Sequence, residues 1–398
     1  ATPWPEFRGP TGDGVSAERN LPVTWSETDG IAWKTPVPGK AWSSPVVGEG
    51  TVWMTNATED GRRLSVVAID AATGKMVRDI TVFEIAEPQF CHAFNSYASP
   101  TPVLAAGRLY AHYGSAGTAC IDTASGKILW ARQDLPCDHF RGPGSSPIMH
   151  DGLLVVAFDG FDLQYVVALD TKTGRTVWRT DRNIDYGTPD GDMKKGYCTG
   201  TVLSAGGREQ VVIPSAGATI AYDPATGREF WRVRHGGMNA SARPLFAHGL
   251  VYVNTAGGGM GLVAIRPDGT GDVTGSHVAW KASQGSGTRS SQLVVGDSVF
   301  LVANGGAASL LDALTGKATW QKRLGGEFSS SPILADGRIY VSNQTGETFV
   351  LSATEPHDLL ATNTLADGCM ASPAVHDGAI YLRTKTHLYK IPGPAARP

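Results

Sequence analysis

A tripeptide that returns eight times constrains this chain more than any other feature. Ser43-Ser44-Pro45 recurs as Ala98-Ser99-Pro100, Ser145-Ser146-Pro147, Ser330-Ser331-Pro332 and Ala371-Ser372-Pro373. Weaker copies stand at Thr199-Gly200-Thr201, Ala242-Arg243-Pro244 and Ser290-Ser291-Gln292. Neighbouring copies are about 40–55 residues apart, a period at which each unit is one supersecondary element that buries its apolar face only against its neighbours. A repeat of this kind overrides the two or three domains that 398 residues would otherwise suggest.

The unit itself reads as four strands. A short apolar run follows each tripeptide, then a turn such as Asp151-Gly152, Asp336-Gly337 or Asp377-Gly378, then an alternating strand such as Leu250-Val251-Tyr252-Val253. An apolar strand ending in Asp comes next, followed by a Thr-Gly-Lys/Arg turn and a Trp; Val166 to Asp170, Thr173-Gly174-Arg175 and Trp178 are the clearest instance. Period-two strands joined by Gly-containing turns are hairpins. Four of them repeated around an axis make a propeller blade. The expected fold is therefore all-β, an eight-bladed β-propeller of four-stranded antiparallel blades. The eighth unit runs out near Ile391 with three strands, while Ile31-Ala32-Trp33-Lys34 is a lone Trp strand near the start. That strand is expected to complete the last blade and so remove the exposed sheet edges. Residues 1–30 are expected to pack on the propeller as an extension, with 31–398 forming the propeller itself. The recurrent tryptophans are expected between neighbouring blades.

A formal charge of −3 and the lack of a sustained basic stripe argue against nucleic acid as a partner. No apolar run approaches the roughly 18 residues of a membrane-crossing helix. The chain opens Ala1-Thr2-Pro3, as a mature protein does after signal-peptide removal, so a periplasmic or secreted monomer is expected. The five cysteines show no Cys-x-x-Cys spacing, although Cys91 and Cys137 lie in consecutive inserts where a disulfide between them is one alternative. No metal site is expected.

Insertions gather on one face. The connections 84–97, 134–142 and 181–197 and the glycine-rich 255–261 are long, whereas the turns opposite them are short and uniform. Function tends to sit on variable loops held by a rigid scaffold, so the mouth of the central channel on that face is the expected site. Residues near the start of each innermost strand should line it: Lys40, Trp42, Tyr97, Arg141, Asn239, Arg243, Arg289 and Glu327 as ligand-binding groups, with His92, His139, Lys195 and Tyr197 as acid–base candidates. Most are hydrogen-bond donors and several are cationic, a set suited to an anionic or polyhydroxyl ligand. Imidazoles titrate near neutrality, so His92 and His139 converging on one void would indicate an enzyme acting on a carbohydrate or polyol. A shallow mouth rimmed by Phe90, Phe94 and Phe140 would instead indicate a protein partner.

The tripeptide openings, the Ala-Leu-Asp-x-x-Thr-Gly-Arg-x-x-Trp closing at 168–178 and the eight units resemble the PQQ-like repeat family of β-propellers over residues 31–391. Trp4-Pro5-Glu6-Phe7-Arg8-Gly9-Pro10 with Gly12-Asp13-Gly14 is similar to the opening of exported, BamB-like members. The resemblance implies the propeller and leaves function open between quinoprotein dehydrogenases and assembly scaffolds. Those dehydrogenases carry adjacent cysteines beside the quinone and extra loops for a calcium site. No Cys-Cys pair occurs here, so pyrroloquinoline quinone (PQQ) is not expected and the cofactor is left unknown. The leading expectation is a binding or scaffold propeller, with the enzyme, lyase or oxidoreductase, as the alternative.

Overall fold

The computed structural model describes residues 1–283 and 289–396. Eight four-stranded antiparallel blades follow one another around a central axis. Blade 1 shows the plan: Val46–Gly48 is innermost, then Thr51–Ala57, Arg63–Asp70 and Met76–Glu84. Blades 2 to 7 occupy residues 103–132, 148–181, 201–234, 245–282, 293–323 and 333–364. Blade 8 takes Ala374–His376, Ala379–Arg383 and His387–Pro392 from the end of the chain and borrows its outermost strand, Trp33–Pro36, from the beginning. Trp33 pairs with Lys390 and Pro36 with His387 in antiparallel register, two residues beyond the strand start read from sequence. Closure gives the last blade its full four strands and joins the two ends of the chain in one sheet.

Two repeated contacts join blade to blade. The first is the tryptophan. Trp33, Trp130, Trp178 and Trp280 each donate the indole N–H to a carbonyl of the next blade's turn, at Ala71, Thr171, Pro224 and Ala313, over 2.9 to 3.1 Å. Their rings lie on Gly74, Gly174, Gly227 and Gly316, where a Cβ would stand 2.4 to 2.6 Å from the indole. The glycine of the Thr-Gly turn is therefore required by close approach as well as by its positive φ. Trp231 departs from the pattern: its N–H goes to Gln210 within the blade, and Gly271–Asp272 pairs along the outer edge of that blade instead.

The second contact explains the repeating tripeptide. The backbone N–H of Ser44 donates to Thr101 Oγ1 (2.9 Å), that of Thr101 to Ser146 Oγ (2.9 Å), and that of Ser146 to Thr199 Oγ1 (3.0 Å). The belt resumes from Arg243 to Ser291 (3.0 Å), Ser291 to Ser331 (2.9 Å), Ser331 to Ser372 (2.9 Å), and closes from Ser372 onto Ser44 (3.0 Å). Two sequence alignments shift as a result. In blade 2 the equivalent triplet is Pro100-Thr101-Pro102 and not Ala98-Ser99-Pro100; in blade 4 it is Cys198-Thr199-Gly200. Blade 5 places Arg243 where a hydroxyl would be, so the belt is interrupted between blades 4 and 5.

The first thirty residues cross the turn-rich end of the channel and then run along the outside. Trp4 bridges to Val47 in blade 1, and Val15–Ser16 pairs in parallel with the innermost strand of blade 7. Between them Arg8 donates to the carbonyls of Pro332 and Gln292, and Arg243 donates to the Phe7 carbonyl and to Glu6. Arg243 thus holds this segment across the axis, which closes the channel at that end.

Candidate functional site

What remains open is a blind axial pocket of about 510 Å³ at the loop-rich end. Phe7 forms part of its floor. Above it stand six hydroxyls of the belt, Ser44, Thr101, Ser146, Thr199, Ser331 and Ser372. Each accepts one backbone N–H and keeps its own proton to donate. Around the mouth are Trp42, His92, Phe94, Arg141, Tyr197, Asn239 and Arg289.

The inserts hold this collar through their own bonds. His92 accepts the Phe94 N–H at Nδ1 (3.0 Å), which puts the proton of its neutral ring on Nε2. The N–H of His92 and the side chain of Asn95 both reach the carbonyl of Arg141, tying the first insert to the second. Trp42 donates its indole N–H to the Phe94 carbonyl at 2.9 Å. The acidic insert ends in a short 3₁₀ turn, Gly191–Met193, that delivers Asp192 to Arg141 as a bidentate pair at 2.7 and 3.0 Å. That carboxylate holds the guanidinium charge of Arg141 above its ordinary range. Arg289 meets Glu327 at 3.3 Å and lies over the Phe94 ring at 4.7 Å. Burial pushes the Tyr197 phenol well up, so it stays protonated.

Of the twelve residues expected here, Trp42, His92, Arg141, Tyr197, Asn239 and Arg289 line the pocket, and six do not. Lys40 is one of these, its ammonium donating to the Ala93 carbonyl at 2.6 Å. His139 is buried behind the wall, with Nε2 accepting the Ser115 N–H (2.8 Å) and Nδ1 3.0 Å from Lys195 Nζ. Both of its nitrogens are engaged, and burial holds it neutral, so it does not pair with His92. Lys195 is only 1% exposed and carries a pKa pushed down to about 8 by burial. Tyr97 packs against Gly61 and donates its hydroxyl to the Gln89 carbonyl, a strut for the first insert. Arg243 lies under the floor, and Glu327 is exposed beside Arg289. Cys91 and Cys137 are not bonded: all five cysteines are free, Cys137 Sγ facing His139 and Leu163, Cys91 Sγ packing against Gly142. The hydroxyl belt was missed as a lining although its signal, the tripeptide, was the most conspicuous in the chain. Beyond the mouth Phe90 is 67% exposed, Phe94 41% and Met238 36%, while Phe140 stacks on Phe161.

Fold and pocket together define an eight-bladed propeller with one blind axial cavity. The chain belongs to the PQQ-like propeller family whose model, described as outer membrane protein assembly factor BamB, matches residues 162–392. Among curated proteins, 1-butanol dehydrogenase (quinone) of Thauera butanivorans is 27% identical over 267 residues, 63% of this chain and 39% of that enzyme. Quinohemoprotein alcohol dehydrogenase ADH-IIG of Pseudomonas putida is 26% identical over 181 residues, 40% of this chain and 24% of the enzyme. The matches thus span well under half the length of either relative. The fold is shared with BamB from Moraxella catarrhalis (TM-score 0.63, 12% identity, 90% of this chain and 99% of that one). It is also shared with quinohemoprotein alcohol dehydrogenase from Comamonas testosteroni (TM-score 0.71, 14% identity, 100% of this chain and 81% of that one). Among the described residues no helix is long and apolar enough to cross a membrane.

Proposed function

We propose that this chain is a binding propeller, acting in the periplasm or outside the cell, whose axial pocket takes a small oxygen-rich molecule, a sugar or sugar acid. The observation that carries the reading is the ring of six hydroxyl donors above Phe7, capped by Trp42 and the Arg141–Asp192 pair. Hydroxyl and guanidinium donors match sugar oxygens and carboxylates, and an aromatic collar covers the apolar face of a pyranose. Binding is favoured over catalysis because the two imidazoles do not meet: His139 is sealed from the pocket.

The pocket does not fit a quinone held beside a metal ion. Its one carboxylate among the described lining residues, Asp192, is committed to Arg141, and no adjacent cysteines flank it. Calorimetric titration with neutral sugars, sugar acids and PQQ tests the reading. Saturable binding of a sugar or sugar acid, weakened about tenfold or more in Trp42→Ala and in Arg141→Ala, is expected. Binding of PQQ alone, or sugar binding indifferent to both substitutions, overturns it. A second reading, docking of a protein at the mouth, is supported by the exposed Phe90, Phe94 and Met238 and by the likeness to an outer membrane assembly factor.

A further inference from the structure

On the turn-rich face, away from the pocket, blades 3 and 4 bring three ligand-type side chains to one point. His150 ends the innermost strand of blade 3, Ile148–His150, and Asp151 follows it in the turn with φ 46°. Glu209 stands on the second strand of blade 4, Arg208–Pro214. Nε2 of His150 meets both carboxylates, Asp151 Oδ2 at 3.3 Å and Glu209 Oε1 more closely. The three ligand atoms all lie within 4.8 Å of one another. Among the described residues, neither carboxylate has another ion-pair partner.

Hydrogen bonding alone accounts poorly for this arrangement. One nitrogen holds one proton, which can be given fully to only one of the two oxygens. Two like charges from different blades are left side by side, where they disfavour each other. A divalent cation removes both difficulties, since it takes the nitrogen lone pair and neutralises both carboxylates. Metal–ligand bonds of about 2.0–2.1 Å in a tetrahedron set neighbouring ligand atoms about 3.3 Å apart, which is the separation of His150 Nε2 and Asp151 Oδ2; Glu209 Oε1 stands closer to Nε2 than this and must draw back to admit an ion. One imidazole, two carboxylates and a fourth position open to water suit Zn²⁺ or a similar first-row ion better than Ca²⁺, which takes six to eight oxygens.

We propose that His150, Asp151 and Glu209 form a zinc-class metal site that clips blade 3 to blade 4.

Zinc itself is the probe. In a Cys91→Ser background, which removes the one partly exposed thiol, chelator-treated protein should bind one Zn²⁺ by calorimetry and show a zinc-dependent rise in Tm. Cobalt should give the visible absorption of a tetrahedral site. His150→Ala and Glu209→Gln, checked for folding by circular dichroism, should each weaken binding about tenfold or more and abolish the cobalt band. Zinc binding of unchanged affinity in folded His150→Ala, or no saturable zinc binding by the parent protein, overturns the proposal.

Discussion

Acid should destabilise this protein between pH 6.5 and 5 chiefly through its buried histidines. His112 and His235 are fully buried and neutral. Burial holds their pKa values down at about 3 and about 4, against 6.5 for a free imidazole. His112 Nδ1 sits 2.8 Å from Thr118 Oγ1, and His235 bonds Thr219 through Nε2 and the Gly236 carbonyl through Nδ1; neither ring is held charged by a carboxylate, so burial decides. The direction follows from which state binds more protons. Below pH 6.5 the unfolded chain protonates these rings and the folded protein does not, so stability falls as pH falls, from about 6.5 down toward the folded values. Each pH unit costs about 1.4 kcal/mol per group. Between pH 6.5 and 5 each ring therefore costs about 2 kcal/mol, about 4 kcal/mol for the pair, against a total stability on the order of 5–15 kcal/mol. His139 acts in the same direction. Asp70, Asp122, Asp170 and Asp312 are held below the usual carboxylate range by turn N–H bonds and stay ionised over this window. Glu6, raised by burial, works the other way. Urea unfolding at pH 7.5 and pH 5 measures the effect. The parent should lose about 4 kcal/mol or more, and His112→Asn with His235→Asn should lose distinctly less. A parent whose stability is flat between the two pH values, or a double variant with the same pH dependence, would refute the reasoning.

Ser44→Ala orphans the buried N–H of Ser372 and breaks the belt where the circle closes; a cost of about 1–3 kcal/mol should lower Tm by about 1–4 °C in a scanning calorimeter for a chain of this length. Arg182→Ala leaves the fully buried carboxylate of Asp159 without its partner at 2.7 Å, and urea unfolding should show a loss of about 3–5 kcal/mol. Lys195 is depressed from 10.5 to about 8, so the unfolded chain binds its proton more strongly between those values. The parent should therefore gain about 3 kcal/mol relative to Lys195→Met as pH rises from 8 to 10.5, read from paired urea midpoints.

The fold was legible because its determinants are local and repeated. A Gly-containing turn after every innermost strand, Asp-Gly in blades 3, 7 and 8, and a Thr-Gly-x turn before Trp178, Trp280 and Trp320 carry their own geometry, and the lone strand at Trp33 left one partner, the incomplete eighth unit. Register was less legible. Blade 2 offers both Ser99-Pro100 and Thr101-Pro102, and only the interblade bond from Ser44 selects Thr101. At the site, Trp42, Arg141, Tyr197, Asn239 and Arg289 reach the pocket because strand geometry carries their neighbourhoods to the axis, whereas Tyr97 and Arg243 are drawn off by the Gln89 and Phe7 carbonyls. His139 and Lys195 were misplaced because the conformations of the two inserts are set by nonlocal bonds, the Ser115 N–H above all, that no spacing reveals. The plug was invisible for a related reason: Phe7 belongs to a unique segment whose anchors, Arg243 and Pro332, lie hundreds of residues away.

The axial pocket as the seat of ligand binding is tested most directly by a crystal structure with the tightest-binding sugar or sugar acid. The ligand should lie between Phe7 and Trp42, with its oxygens about 2.7–3.2 Å from the belt hydroxyls. A ligand bound on the outer blades or on the Phe90 surface, with only water over Phe7, would contradict it.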